Sequence, residues 1–322
     1  MTDVAVVGGG ISGIACATAL ADSGLTVDVY DRGHRLGGRL ATSTLRDTGT
    51  SCDGRVVDVG AAYFTVDDAG FGQLVGDWID RGLVRPWTDT FHLADGTGVF
   101  GTKTGPMRYA APRGLRSLVE DLATTLPSDL VEIRHPFDVT DIEVAESGVR
   151  LAEREYRAVA LCGPDPQMDA LVAVDGAPLW EPVLSLTAVY DERAWDFDAA
   201  FVNDDPVLSF VADDGSRRGD GAPVLVAHST PVLAAGYLVD PMTAAPAMLA
   251  VLRNLSGVVP EWFTVKRWTF ARPAHARPED YFFDGVIGRA GDGWAGQPRT
   301  QSAWVSGDAL GQAMAARITQ AR

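Results

Sequence analysis

Residues 3–31 read DVAVVGGGISGIACATALADSGLTVDVYD, and this stretch decides the fold. Residues 3–7 are a short, β-branched run. Gly8-Gly9-Gly10-Ile11-Ser12-Gly13 follows at once as G-x-G-x-x-G. Residues 14–23 are alanine-rich and predict a helix that Gly24 stops, residues 26–30 (TVDVY) predict a second strand, and Asp31 stands at its end. In a βαβ unit of this kind Gly8 permits the strand-to-helix turn, Gly10 lets the backbone approach a diphosphate, and Gly13 allows close packing of helix on strand. The diphosphate would lie at the helix N-terminus beside Ile11 and Ser12, where unsatisfied N–H groups and the positive dipole end favour an anion. Asp31 would accept hydrogen bonds from ribose hydroxyls. A glycine-rich turn alone also joins strands to helices for structural reasons; strand, helix, second strand and terminal acid together point to a dinucleotide. The expected fold class is therefore α/β, with a Rossmann-like domain.

Working outward, Gly37-Gly38-Arg39 suggests a second glycine-lined approach to the diphosphate, with Arg39 as its counter-charge. A nicotinamide dehydrogenase would run on here into another helix and strand. This chain instead passes through a polar, Gly/Thr/Ser-bearing stretch to Val56-Val57-Asp58-Val59-Gly60 and Ala61-Ala62-Tyr63-Phe64-Thr65. That continuation favours FAD over NAD as the cofactor. It resembles the FAD-binding half of amine-oxidase-like flavoproteins.

Further motifs narrow the resemblance to the renalase-like flavoproteins of bacterial type, over nearly the whole chain. Residues 58–65 (DVGAAYFT) look like the family's D-x-G-A-Q-Y-F-T, and residues 267–273 (RWTFARP) look like its R-W-x-Y-A-R-P. Ala227-His228-Ser229-Thr230, Gly291-Asp292-Gly293-Trp294 and residues 302–307 (SAWVSG) are similar to its histidine strand, its late G-D-W and the opening of its closing helix. The resemblance implies an FAD-dependent oxidase. It would take hydride from 2- or 6-dihydro isomers of NAD(P)H and pass electrons to O2, giving NAD(P)+ and hydrogen peroxide. It also implies cofactor contacts at Arg32, Gly60, Ala61, Val139, Cys162, Asp292, Ser302 and Ala303, and a substrate site at Tyr63, His228, Trp268 and Arg272. Three departures, Ala62 for glutamine, Gly293 inside G-D-W, and residues 298–302 (PRTQS) for R-V-E-G, fall where the flavin ring is expected.

Each substrate-site residue also has a plainer reading. Tyr63 reads equally as a core aromatic and His228 as a core group of an apolar strand; Trp268 and Arg272 share a strand end that would offer a stacking face and an anion contact, and Arg272 reads equally as one arm of a structural ion pair. Residues 162–164 (CGP) read as a strand end near the cofactor or a simple turn. The aspartate pairs 204–205 and 213–214 adjoin turn formers and read as solvated loops without a catalytic role.

The chain has 322 residues, 46% of them apolar, enough for one large domain or two joined ones. A net charge of −16 argues against nucleic acid and anionic membrane surfaces as partners. No apolar run approaches a membrane span and no leader pattern precedes the first strand, so a cytoplasmic protein is expected. Cys16, Cys52 and Cys162 form no CxxC pair, and the 5 histidines fall in no metal-ligand spacing. No motif for covalent or metal-assisted hydrolysis appears either. Cofactor signals at both ends and in the middle predict a discontinuous FAD-binding domain, residues 1–68, 106–180 and 285–322. An antiparallel substrate-binding domain would fill residues 69–105 and 181–284. Helices are predicted over 71–81, 112–125 and 244–256, and strands around 137–139 and over 159–162, 184–190, 207–211, 224–228 and 263–270. A dihydropyridine that loses hydride becomes aromatic without giving up a proton, so a site of aromatics and arginine suits it better than one of acids. Two other readings stay open: an amine oxidase or desaturase, though neither Lys103 nor Lys266 matches the lysine many of those enzymes carry near the flavin, and a flavin-binding protein without turnover.

Overall fold

The computed structural model describes residues 2–145, 148–173 and 176–320. It resolves into two compact units, one of residues 1–40, 118–180 and 272–322, the other of residues 41–117 and 181–271. Residues 41–68 and 106–117, expected with the FAD-binding segments, therefore pack in the second unit, and residues 272–284 in the first.

The first unit is built on a six-stranded sheet. Its order is Phe282–Phe283, Ile287–Arg289, Ala158–Leu161, Val4–Val7, Val27–Tyr30, Val131–Arg134. All its pairings are parallel except that of Phe282–Phe283 with Ile287–Arg289. Val4–Val7 lies at the centre with every residue buried, as a run of β-branched residues covered on both faces should be. Ala5, Val7, Val159 and Leu161 share a core with Val149, Leu151 and Tyr156 of a three-stranded antiparallel sheet.

The helix expected from residue 14 begins three positions earlier, as Ile11–Asp22, because extended Gly10 serves as its N-cap. It packs against the long C-terminal helix Thr300–Gln320. A Cβ at Gly307 would lie 2.0 Å from the Ser12 carbonyl oxygen, and one at Gly311 2.6 Å from that of Cys16. Only glycine at both positions lets these backbones approach so closely.

The strand expected around 137–139 is irregular chain. The strand is Val131–Arg134, in register with Val27–Tyr30. Residues 135–139 turn away from the sheet, and the Phe137 N–H donates to the Asp31 carbonyl at 2.7 Å.

The second unit carries a seven-stranded sheet. Its order is Trp262–Pro273, Trp180–Val189, Val224–Ser229, Leu208–Asp213, Ala199–Val202, Arg85–Asp95, Gly98–Ala110. Neighbouring strands are antiparallel wherever their register is fixed, except that Ala199–Val202 runs parallel to Arg85–Asp95. Leu184, Leu186, Leu225, Ala227 and Val211 bury one face of this sheet with Met248 and Leu252 of the helix Ala245–Ser256. Period-2 alternation then sends Phe210, Ala212 and His228 to the opposite face. The helix expected over 112–125 starts only at Arg116. Residues 112–115 form a turn, with Gly114 at a φ of +88° and the Leu115 N–H donating to the Asp58 carboxylate at 2.8 Å.

The aspartate pairs divide. Asp204 is exposed on a turn, whereas Asp213 and Asp214 are completely buried, so the solvated reading of the second pair is corrected. Asp213 caps the short helix Asp214–Arg218 and receives the indole N–H of Trp195 at 2.9 Å. Asp214 lies among Arg55, Arg217 and Arg218, whose charges were invisible as partners because they meet it only in the fold. No helix of the described residues is long and apolar enough to cross a membrane.

Candidate dinucleotide cradle and aromatic face

The glycine turn of the first unit is fixed by contacts that exclude side chains. A Cβ at Gly8, whose φ is +116°, would meet the Cys162 carbonyl oxygen at 2.3 Å, and one at Gly13 would meet the Gly8 carbonyl oxygen at 1.8 Å. Gly10 differs. Its Cβ would approach nothing nearer than the Gly38 Cα at 3.9 Å, so the protein leaves that direction open. The Gly37 N–H donates to the Gly9 carbonyl at 2.9 Å, which draws the second glycine loop against the first.

No side chain caps the N-terminus of the Ile11–Asp22 helix. Ser12, only 5% exposed, has a buried hydroxyl with no hydrogen-bond partner. A buried hydroxyl without a partner costs stability. Here it lies in the first turn of an uncapped helix beside an open glycine position, an arrangement suited to an anionic diphosphate.

Asp31, expected from the sequence as a ribose contact, is engaged by the main chain in the structure. Its carboxylate accepts the Gly9 and Gly33 N–H groups, each at 2.6 Å, and so ties the turn to the end of the second strand. Arg32 is exposed beside it. Val139 packs on the core of the first unit, next to a cavity of about 260 Å³ that it lines with Phe137, Asp141, Glu143 and Arg150. Ser302 and Ala303 are buried in the first turns of the C-terminal helix, and Ser306 of that helix accepts the Gly291 N–H at 3.0 Å.

The structure unites two residues the sequence singled out separately. Arg39 and Asp292 form a two-pronged ion pair at 2.7 and 2.5 Å. The Arg39 guanidinium also lies 4.9 Å from the centre of the Trp180 ring, and the Trp180 indole N–H donates to Asp165 at 3.1 Å. Gly293, the residue that interrupts G-D-W, has a structural reason: a Cβ there would sit 3.1 Å from the Asp165 carboxylate, which also pairs with Arg277. Cys16 and Cys162, unpaired in the sequence reading, are hydrogen-bonded neighbours behind the turn. The Cys162 thiol, and then burial, raise the Cys16 pKa.

The second unit gathers Tyr63, Trp87, Phe91, Phe201 and Phe210 on the sheet face opposite its helix-covered core. Tyr63 lies edge-on to Phe91 at 5.1 Å and 5.9 Å from Phe210, and the His228 ring lies 5.9 Å from Phe210. Burial raises the Tyr63 pKa, and the Arg108 guanidinium opposes the rise. Trp268 is held apart from this cluster. Its indole N–H donates to the Val59 carbonyl at 2.6 Å, and its ring packs with Val189 and Val224. Gly60 is buried at the same strand end, its N–H on the Ala41 carbonyl at 3.3 Å, and Ala61 follows half-buried. Arg272 is exposed and belongs to the first unit.

Sequence reasoning missed Trp87, Phe91, Arg108, Phe201 and Phe210. An available signal was Asp95-Gly96 between two alternating runs, a hairpin sign that would have placed Phe91 and Arg108 on paired strands, Arg85–Asp95 and Gly98–Ala110. Among the described residues, no group of histidine, cysteine or carboxylate side chains is arranged to hold a metal ion.

Comparison with known proteins agrees with this architecture. A profile of the NAD(P)-binding Rossmann-like domain family matches residues 6–75. The flavin-containing amine oxidase B of Bos taurus is 33% identical over 133 residues, 39% of this chain and 24% of that protein. The chain thus spans about a quarter of the length of the curated relatives it first matches. Two solved structures superpose on essentially the whole chain. One, from Exiguobacterium sp. and provisionally described as a protoporphyrinogen oxidase, has a TM-score of 0.74 at 15% identity and covers 100% of this chain and 99% of its own. The other, the cyclohexylamine oxidase of Brevibacterium oxydans, has a TM-score of 0.72 at 16% identity, covering 99% of each. The chain has a mixed α/β fold with a Rossmann-like domain and an added antiparallel sheet, the fold of amine-oxidase-like flavoproteins.

Proposed function

We propose that this chain is an FAD-dependent oxidase whose first unit binds the FAD diphosphate at the Gly8–Gly13 turn and whose second unit recognises a small-molecule substrate through its aromatic face. The observation that carries the reading is Ser12: a buried, partnerless hydroxyl in the first turn of an uncapped helix, beside a glycine whose open side no protein atom fills. When bound, FAD supplies a hydride acceptor that O2 can reoxidise, with release of hydrogen peroxide.

The chain's own residues do the binding and orienting. The N–H groups of Ile11 and Ser12 and the Ser12 hydroxyl would hold the diphosphate, and Gly38 would keep the second loop low. Asp31 anchors the turn and lies within reach of a ribose. The Arg39–Asp292 pair would present a fixed charge arrangement to the dinucleotide, and Cys162, Ser302 and Ala303 would add further contacts to it. Arg32, Gly60, Ala61 and Val139 are proposed as further cofactor contacts. Tyr63, His228, Trp268 and Arg272 are proposed as substrate contacts. With three reduced cysteines, a reducing compartment such as the cytoplasm suits the chain.

Two substrate classes compete. The motif resemblance over residues 58–65 and 267–273 supports dihydro isomers of NAD(P)H. The amine oxidases among the related sequences and folds support an amine. Anaerobic mixing of FAD-loaded protein with 2- and 6-dihydronicotinamide dinucleotides, and separately with a panel of primary amines, decides between them. The dihydronicotinamides are expected to bleach the flavin absorbance rapidly and the amines to leave it unchanged. Bleaching by amines alone selects the second class, and bleaching by neither refutes an oxidase of either kind.

Ser12→Ala is expected to weaken FAD binding about tenfold, the worth of one hydrogen bond to a charged group, with the melting temperature of the cofactor-free protein unchanged or raised. Titration of flavin fluorescence against the apoprotein measures it. Unaltered affinity would remove Ser12 from the cradle.

A further inference from the structure

Among the described residues, four arginines are buried: Arg108, Arg217, Arg218 and Arg289. Three of them face carboxylates. Arg217 and Arg218 pair with Asp214 and Asp58, and Arg289 pairs with Asp169. Arg108, 5% exposed, has no such partner. Its Nη1 donates to the main-chain carbonyl of Asp89, and its guanidinium lies 3.9 Å above the centre of the Phe91 ring and 5.9 Å from that of Tyr63. Gly105, on the same strand, has no side chain; a Cβ there would lie 3.2 Å from Nη2. The Asp89 carbonyl, the Tyr63 hydroxyl and an aromatic face are all neutral, and they compensate a desolvated cation only in part.

The rings around Arg108 keep part of their surface exposed. Tyr63, Trp87 and Phe201 are each half-buried, as is His228 beyond Phe210. A chain of net charge −16 repels anions on average, so an anion would need a local cation of this kind to be held there. An ammonium ion set beside Arg108 would instead meet a like charge.

We propose that Arg108 is the anion-recognition residue of this aromatic face, which takes a planar ring bearing a phosphate or carboxylate and disfavours cationic amines. The guanidinium fork suits either oxyanion through two parallel N–H donors, while the flanking rings stack on the planar group. This deepens the oxidase reading and rests on it for the identity of the ligand as substrate. It favours the dinucleotide class over the amine class.

Calorimetric titration of the FAD-loaded protein tests it with three probes that need no turnover: NAD+ for phosphate, benzoate for carboxylate and benzylamine for the cation. The wild type is expected to bind NAD+ or benzoate more tightly than benzylamine, and which anion binds tighter identifies the oxyanion. Arg108→Met should weaken the tighter anion at least tenfold and leave benzylamine unchanged or strengthened, while Arg108→Lys, which keeps the charge, should lose less. Anion affinities within twofold of wild type in folded Arg108→Met, or a wild type that prefers benzylamine, overturn the proposal. If neither variant folds, the salt dependence of the wild type decides: anion affinity must fall as ionic strength rises, and a flat response overturns it. Should no substrate class bleach the flavin while Arg108→Met still loses the anion, the oxidase reading fails and the anion site stands.

Discussion

Replacing Gly10 by valine is expected to leave a folded protein that no longer retains FAD. The backbone at Gly10 has φ −83° and ψ −179°, an extended conformation that valine adopts without strain. The nearest atom to its new Cβ, the Gly38 Cα at 3.9 Å, is at ordinary contact distance. The folded chain therefore accepts the side chain, and the volume it fills is the one through which a diphosphate would approach the main-chain N–H groups. FAD affinity should fall roughly 100-fold or more, about 2.7 kcal/mol, with the melting temperature of the apoprotein nearly unaltered. Gly13→Val is the contrasting change. Its Cβ would stand 1.8 Å from the Gly8 carbonyl oxygen, so the strand and helix must separate and the fold itself should be lost. Flavin absorbance after gel filtration, read beside a thermal melt, separates the two outcomes. A Gly10→Val protein that keeps its yellow cofactor would refute the cradle.

Asp214→Ala should be the most destabilising single change in the second unit. Its carboxylate is fully buried and faces Arg217, Arg218 and Arg55, so its removal leaves Arg217 and Arg218 to share Asp58 alone and Arg55 with only Asp220. Breaking a buried ion pair from one side costs about 3–5 kcal/mol. Loss of a urea or thermal transition at the wild-type position reports it.

The same group sets an acid limit. Burial works to raise the Asp214 pKa, but the charges of Arg217, Arg218 and Arg55 outweigh it and hold the folded value down at about 2, from 3.8. A depressed folded pKa means stability that is present above the unfolded value and is lost as pH falls from about 4 through about 2. Asp58 acts in the opposite sense. Burial raises its pKa in spite of Arg217 and Arg218, so its charged form opposes folding above that value and the penalty is relieved on acidification. Asp214→Asn should thus flatten the acid limb of the stability curve, and Asp58→Asn should steepen it. Denaturant midpoints across pH 2 to 5 measure both.

The glycine-rich strand-to-helix turn was legible because its requirements are local. Gly8, Gly10 and Gly13 are spaced by the geometry of one strand turning into one helix, and Asp31 lies at the end of the next strand. The failures have physical causes as well. Residues 137–139 carry an apolar pattern, but the sheet is satisfied by Val131–Arg134 and the following segment turns away. Asp213 and Asp214 look like a polar loop because nothing nearby in the chain reveals that Arg55 arrives from another part of it. Arg108 was missed for a related reason: the Asp95-Gly96 hairpin sign could have put it on a strand paired with that of Phe91, but its burial over that ring is visible only in the fold.

By itself the sequence determined the βαβ cradle, the α/β class and the presence of a second, strand-rich part, since turn chemistry, period and glycine spacing act over short stretches of chain. The tertiary structure alone decided which charges are buried and paired, that Arg39 meets Asp292 across the first unit, and that Arg108 lies among aromatic rings without a carboxylate. Burial and charge pairing depend on distances in space between residues far apart in the chain, and no local pattern encodes those distances.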